Sequence, residues 1–419
     1  MGRRAGYAAL VLALAVLSVF AGLGLARFGY SMLLPSMQKA LGISNAGAGQ
    51  LQSWNLVGYL LTVVGAGALA ARHGARRVIA AALVVTALGM LVTGLVPTFA
   101  GACAGRFLAG VGGAGAKVPV LGGRVAAWFA GRRRGLAAGV AVSGSSVGLM
   151  VTGPLVPWVL DRYGPEGWRL CWYLFAGAAL VIALLAGVLL RDRPDQVGLR
   201  PYGGTGAVSA PGGGGRVRWR DVAGSGYLWH LAAVYFAFGF AYIMYSTFFV
   251  KHLVQGYEWN QADAGRLWMR IGAASIASGL VWGVFSDRFG RRLALGLIFL
   301  VQGAAFAVLG VGHGTGAVYV SAGLFALTAW SIPAVVAAVA GDRFGAAMAP
   351  PALGLMTLVF GLGQALSPYA GGWLADATGS FVVPMVLAGG VAWAGAVGTA
   401  LLPGRRLGSR DQAGAEGSV

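Results

Sequence analysis

Acidic residues are almost missing from this 419-residue chain: twelve Asp and Glu stand against 31 Lys and Arg. Charged residues of both signs make up only 10%, where a soluble domain carries about 25%. Cysteine is as scarce. Cys103 and Cys171 are alone, so no disulfide framework and no metal-binding cysteine spacing can be drawn. Paired carboxylates, a Ser-His-Asp set and a metal cluster are all lacking, which argues against an enzyme and implies no cofactor. Only one long polar break occurs, at 191–228, so no soluble domain is inserted between the apolar runs. Its glycine-rich part, ending at Gly212 to Gly215, follows no predicted strand and does not read as a phosphate loop.

What fills the chain instead is apolar. Hydrophobic residues reach 58%, and the mean hydropathy is +0.74. A helix needs about 20 mostly apolar residues to cross the hydrocarbon. Twelve such runs can be placed: 7–38, 46–71, 78–96, 99–123, 135–160, 169–190, 229–252, 262–286, 293–312, 316–341, 351–375 and 381–402. The predicted fold class is therefore an all-α integral membrane protein with twelve transmembrane helices. The polar break sorts them into a six-helix bundle (1–190), a linker (191–228), and a second bundle with a short tail (229–419). The 72 glycines suit this reading, because small residues let helices pack closely in lipid. Gly65-Ala66-Gly67, Gly110-Val111-Gly112-Gly113 and Gly371-Gly372 read as such contacts. Pro35, Pro119, Pro154, Pro333 and Pro368 are expected to kink their helices.

The net charge of +19 raises nucleic acid as a partner, but the positions of the charges exclude it. With the amino terminus inside, 21 of the 31 basic residues fall in cytoplasmic segments, and Lys39, Arg162, Arg169, Lys251 and Arg266 fall outside. That asymmetry is the positive-inside rule and predicts cytoplasmic termini in a bacterial inner membrane, with anionic lipid as a neighbour. Arg3-Arg4 opens an apolar run that continues past position 30 without a cleavage site, so it reads as an uncleaved first helix. A single chain is expected to function as a monomer.

One motif occurs twice, half the chain apart. The intact copy is Gly283-Val284-Phe285-Ser286-Asp287-Arg288-Phe289-Gly290-Arg291-Arg292. The worn copy runs from Gly67 through Ala71, Arg72, His73 and Gly74 to Arg76-Arg77. Each separates two apolar runs, as expected of a carrier built from repeats. The intact copy resembles the signature loop of the major facilitator superfamily, Gly-x-x-x-Asp-Arg-x-Gly-Arg-Arg. Arg106-Phe107-Leu108-Ala109-Gly110-Val111-Gly112 resembles the second motif of that family, and Gly144 to Pro154 loosely resembles the third. The resemblance implies transport by alternating access, with both loops in gating. Ala71 stands where the family has Asp. The resemblance also implies that Asp287-Arg288 makes charge contacts bracing the outward-open state, so an asymmetric latch is expected. Trp128-Phe129, Arg132 to Ala137 and Arg193 to Leu199 are similar to bacterial monocarboxylate and oxalate–formate carriers. Those carriers place an Arg eight residues before the loop Asp; Gly279 stands there in this chain.

Ionisable groups at membrane depth are costly, which marks them as functional candidates. Arg27, Arg106, Lys117, Arg124 and Arg270 fall in or near the helices. Arg124 reads as a helix-end residue that snorkels. Arg106 and Lys117 lie eleven residues apart, about three turns, on one helix face. Arg106 either lines a cavity or bonds carbonyls of a neighbouring helix. Arg27 either lines the cavity with Tyr30 and Ser31 or snorkels outward. Arg270 either lines the outer vestibule or pairs with Asp263 or Glu258. Tyr242 and Tyr245 carry hydroxyls that need partners on an aromatic face of helix seven, and Gln364 is polar at membrane depth. His230 is the one helix histidine expected, at an inner end. All twelve acids map to loops or helix ends. A cavity with cations and no internal counter-charge needs an anion, expected to be a small carboxylate held by Arg. Proton symport and anion exchange both fit. Export of drugs or metabolites stays open as the alternative.

Overall fold

The computed structural model describes residues 3–121, 125–130, 132–203 and 223–403. Arg124, most of the glycine-rich linker, and the tail from 404 onward lie outside them. Among the described residues twelve rods can be traced, eleven of them long and apolar enough to cross a membrane and the twelfth, α4, 21 residues long. They are α1 (Arg4–Leu41), α2 (Asn45–His73), α3 (Ala75–Leu95), α4 (Phe99–Pro119), α5 (Arg133–Tyr163), α6 (Gly167–Leu189), α7 (Gly226–Gly256), α8 (Gln261–Phe289), α9 (Arg291–Val311), α10 (Gly314–Gly345), α11 (Met348–Thr378) and α12 (Val382–Ala400). The expected twelve-helix fold is what forms. Among the described residues there is no strand, only one isolated bridge between Phe129 and Tyr202.

The rods start and stop where local chemistry dictates. Side chains of Ser44, Thr98, Ser225 and Asn260 accept the otherwise unpaired N–H groups at the starts of α2, α4, α7 and α8. Gly42, with φ of 60°, closes α1 in the left-handed region that glycine adopts without strain. α1 is not uniform: Phe20–Phe28 forms a π-helix. Glycines make room for it. A Cβ on Gly22 would meet Ala116 at 2.9 Å, and one on Gly24 would meet Gly148 at 2.8 Å.

Helices α1–α6 pack on one another, as do α7–α12, and the two bundles meet through α2 against α11, α5 against α8 and α1 against α7. The contact is one-sided. A Cβ on Gly49 would stand 2.0 Å from the Pro368 carbonyl, and one on Gly372 would stand 2.1 Å from that of Asn45. Gly65 and Gly354, near the other ends of the same helices, have nothing within 4 Å. α5 and α8 repeat the pattern: Gly153 and Gly265 touch, while Gly139 and Gly283 face open space. The bundles are therefore shut at the end away from the termini and splayed at the end that carries them.

The start of the linker is fixed beneath the first bundle. The backbone N–H of Tyr202 donates to the Trp128 carbonyl at 2.8 Å, Trp128 Nε1 donates to the Arg191 carbonyl at 3.1 Å, and Tyr7 stacks on Trp128 at 4.8 Å. Trp128-Phe129 thus meets Arg191 and Tyr202, the residues on either side of the 193–199 segment, on the terminal side.

Candidate functional site

The π-helical stretch of α1 carries Arg27 into the middle of the molecule, 4% exposed and far from either end of its rod. It does not snorkel. Its guanidinium lies 4.4 Å over the ring of Tyr59 from α2, with the hydroxyl of Tyr242 from α7 nearby. Tyr242 accepts a hydrogen bond from Gln364 of α11. Arg27 and Tyr59 belong to the first bundle, Tyr242 and Gln364 to the second, so the cluster sits where the halves meet. Arg27 Nε is buried without a partner. Beside it, Tyr242, Phe238, Tyr235 and Phe360 stack into an aromatic wall; Tyr242 and Phe238 are 4.5 Å apart.

Arg106 lies behind Arg27, wholly buried. It donates to the Ala26 carbonyl and to Gln52 Oε1, and sits 4.7 Å over Tyr30 and 5.2 Å over Trp172. Tyr30 in turn donates to the Ala48 carbonyl at 2.6 Å. Asn55 donates to the Arg106 carbonyl at 3.1 Å. Gln52, Asn55 and Tyr59 recur at steps of three and four on α2 and do not stand out in the sequence. That spacing of polar groups inside an apolar run is the signal that could have found them. Among the described residues, no carboxylate pairs with Arg27 or Arg106.

Other expected site residues are not gathered here. Tyr245 is buried inside the second bundle, bonded to Ser321 at 2.8 Å and packed on Phe306 and Phe325. Lys117 is half-buried on α4, toward the splayed end, with no ion pair among the described residues. Arg270 is exposed on α8; Asp263 is taken by Arg266 instead. His230 lies at the terminal-side end, its Nε2 2.8 Å from the Gly398 carbonyl. It is not the only helix histidine: α7 runs on to Gly256, and His252 is buried near the shut end.

The shut end has its own polar lock. Asp376, at the end of α11, accepts the backbone N–H groups of Asn45 at 2.9 Å and Ala46 at 2.8 Å. Its carboxylate thereby caps α2 of the opposite bundle. Buried Lys251 of α7 bonds Asn45 Oδ1, and the backbone N–H of Tyr369 donates to Ser53 Oγ at 3.3 Å. Nearer the centre, Ser31 donates to the Ser246 carbonyl at 2.6 Å, and Trp330 Nε1 donates to Ser146, itself 2.9 Å from Ser275.

On the terminal side the two loop copies differ. Arg291 pairs with Asp287 and, at 3.0 Å, with Asp342, all within the second bundle. In the first copy the backbone N–H of Arg76 donates to Asp192 at 2.7 Å. The carboxylate absent at Ala71 is supplied from beyond the end of α6.

The profile of the family described as "Uncharacterised MFS-type transporter YbfB" matches residues 19–399. The chain belongs to the major facilitator superfamily. Members of this superfamily are transporters, not enzymes. The chain is 23% identical over 394 residues to the probable sulfoacetate transporter SauU of Cupriavidus necator, covering 88% of each chain. It is 29% identical to monocarboxylate transporter 11 of Mus musculus, over 75% of this chain and 69% of that one. In fold it is similar to a bacterial homologue of the human lysosomal transporter Spinster in an inward-facing, unoccupied conformation. The TM-score is 0.73 at 16% identity, over 94% of this chain and 95% of that one. A point mutant of the nucleoside transporter NupG superposes with the same TM-score of 0.73 at 14% identity, over 94% of this chain and 99% of that one.

Proposed function

We propose that this transporter moves a small organic anion, with Arg27 as the residue that receives it. The carrying observation is a buried, mid-span guanidinium at the junction of the two bundles, with an unpartnered Nε and no carboxylate beside it. A cation in that place is costly, and an anion that reaches it removes the cost. A carboxylate or sulfonate takes paired hydrogen bonds from the guanidinium fork. Tyr59, Tyr242 and Gln364 orient it, and the Phe238–Phe360 wall accepts its apolar part. Arg106 has an unpartnered Nε too, but both its terminal nitrogens donate, to the Ala26 carbonyl and to Gln52, so its role is to hold the π-segment that aims Arg27. Two relatives are named for anions, sulfoacetate and monocarboxylates, which supports this reading.

The one-sided contact supports transport by alternating access. The splayed end carries the basic loops, and the positive-inside rule favours reading it as cytoplasmic and the present state as inward-open. No carboxylate or histidine touches the Arg27 cluster among the described residues. Anion exchange, or entry of a proton with the substrate, therefore fits better than a resident proton relay.

The test is uptake of labelled carboxylates and sulfonates into proteoliposomes, with and without a pH gradient. Arg27→Lys keeps the charge but loses the fork, and is expected to cost roughly tenfold in kcat/KM, the worth of one charge-assisted hydrogen bond. Arg27→Met is expected to abolish uptake. If cationic compounds are carried and no anion moves, the chain is an exporter of another kind and the anion reading fails.

A further inference from the structure

At the terminal side of the second bundle, away from the Arg27 cluster, lies a cavity of about 510 Å³. Four helix ends wall it: the starts of α7 and α9 and the ends of α10 and α12. Its floor is apolar and buried, made by Leu295, Val339 and Leu402. Its rim is polar and exposed. Arg291 and Asp342 on that rim are satisfied by each other at 3.0 Å. Arg292 and Arg343 are not: among the described residues neither has an ion pair. Arg343 lies 4.7 Å over the ring of Tyr227, which closes the third side and carries a hydroxyl donor.

These features specify a ligand. Two free guanidinium groups and a phenol at one opening suit a phosphate ester, which guanidinium forks bind in pairs. A buried apolar floor one helical turn deeper gives no reward to a free phosphate but does reward an acyl chain. The volume is that of a whole small-molecule site rather than of a single ion. The rim also lies at the helix ends, the level of the lipid headgroups. We propose that this cavity is a binding site for one anionic phospholipid, its phosphate on Arg292, Arg343 and Tyr227 and the start of one chain on Leu295 and Val339. Because the site is walled by α7, α9, α10 and α12 together, an occupant ties the terminal ends of four helices of one bundle. It acts apart from the central anion pathway and stands whether or not Arg27 receives substrate.

The experiment uses the full-length protein in neutral detergent. Short-chain phosphatidylglycerol, phosphatidylcholine of the same chain length, and soluble glycerophosphoglycerol are titrated while retained lipid is counted by native mass spectrometry and the Tm is followed. One phosphatidylglycerol per chain should be retained, with a preference over phosphatidylcholine of roughly thirtyfold, as two arginines at a membrane surface supply. Arg292→Gln with Arg343→Gln should bring that preference to near parity, while Arg292→Lys with Arg343→Lys keeps much of it. Arg72→Gln with Arg77→Gln, on the first bundle, should leave it unchanged. Leu295→Trp fills the floor without touching the charges and should lower retention of both lipids. Equal losses from the two glutamine pairs would show diffuse surface charge and overturn the proposal. So would retention of glycerophosphoglycerol as tightly as the lipid, which would assign the site to a soluble phosphate ester.

Discussion

Asp376→Asn tests whether the cap across the bundles holds the shut end. The carboxylate accepts two N–H groups at the start of α2 from the opposite bundle, so its contribution exists only while that end is closed. Asn keeps one acceptor oxygen and loses the other bond and the charge at a helix N-terminus. A hydrogen bond to a charged group is worth about 1.5–3 kcal/mol when buried, and a charge at a helix start about 0.3–1 kcal/mol. Asp376 is exposed, so water competes and the lower end applies. A net loss of about 1–2 kcal/mol shifts the balance toward opening at this end by roughly five- to thirtyfold. Lys251–Asn45 and Ser53–Tyr369 remain, so closure is weakened rather than lost. Spin labels at Lys39→Cys and Thr378→Cys sit on exposed ends of different bundles, while Cys103 and Cys171 are buried and escape labelling. Distance distributions by pulsed electron resonance should gain a longer component in Asp376→Asn and little in Asp376→Glu. A distribution unchanged by Asp376→Asn refutes the cap as a lock.

Further outcomes rest on the same structure. Arg106→Met leaves the Ala26 carbonyl and Gln52 Oε1 without their donor, so the detergent-solubilised protein should lose about 2–4 kcal/mol and its Tm should fall. Arg27→Met removes a cation whose Nε is unpartnered, and the Tm should hold or rise while uptake is lost; thermal melts of the two variants side by side check this. Asp287→Asn should harm transport more than Ala71→Asp changes it, because Asp192 already occupies the place by the first loop. Asp192→Asn should then resemble Asp287→Asn in proteoliposome uptake.

The sequence carried the helices well. Runs placed at 46–71 and 78–96 form Asn45–His73 and Ala75–Leu95, because the length of an apolar run is set by the bilayer and read directly from hydropathy. It carried Arg27 for the same reason, as a charge where none is cheap. What it did not show depends on which helix faces which. Arg106 and Lys117 share a helix face in projection, yet one is locked between helices and the other half-exposed. Lys251 fell at a predicted helix end and read as an outside residue; its bond to Asn45 of the first bundle accompanies its burial, while His252 is buried by Leu309, Tyr257 and Phe381 of its own bundle. Gln52, Asn55 and Tyr59 vanish in a hydropathy average because Leu51, Leu56 and their neighbours outweigh them. Tyr245 and Tyr242, three residues apart, take opposite fates because only Tyr242 meets the other bundle.

The π-helical stretch of α1 makes the aim of Arg27 a matter of chain length. In an α-helix each residue advances about 100° around the axis, so a stretch wound more widely changes the angular phase between the helical segments on its two sides. The half of α1 up to Val19 is anchored beside α5 and α6, and the half from Gly29 is anchored by Tyr30 to the start of α2 and by Ser31 to α7. Removing one residue between them, Leu23 for example, would leave both anchors and the guanidinium in place chemically while turning Arg27 toward a different neighbour. If Arg27 receives the substrate as proposed, recognition is encoded partly as a spacing, which single substitutions leave intact and a scan of one-residue deletions would expose.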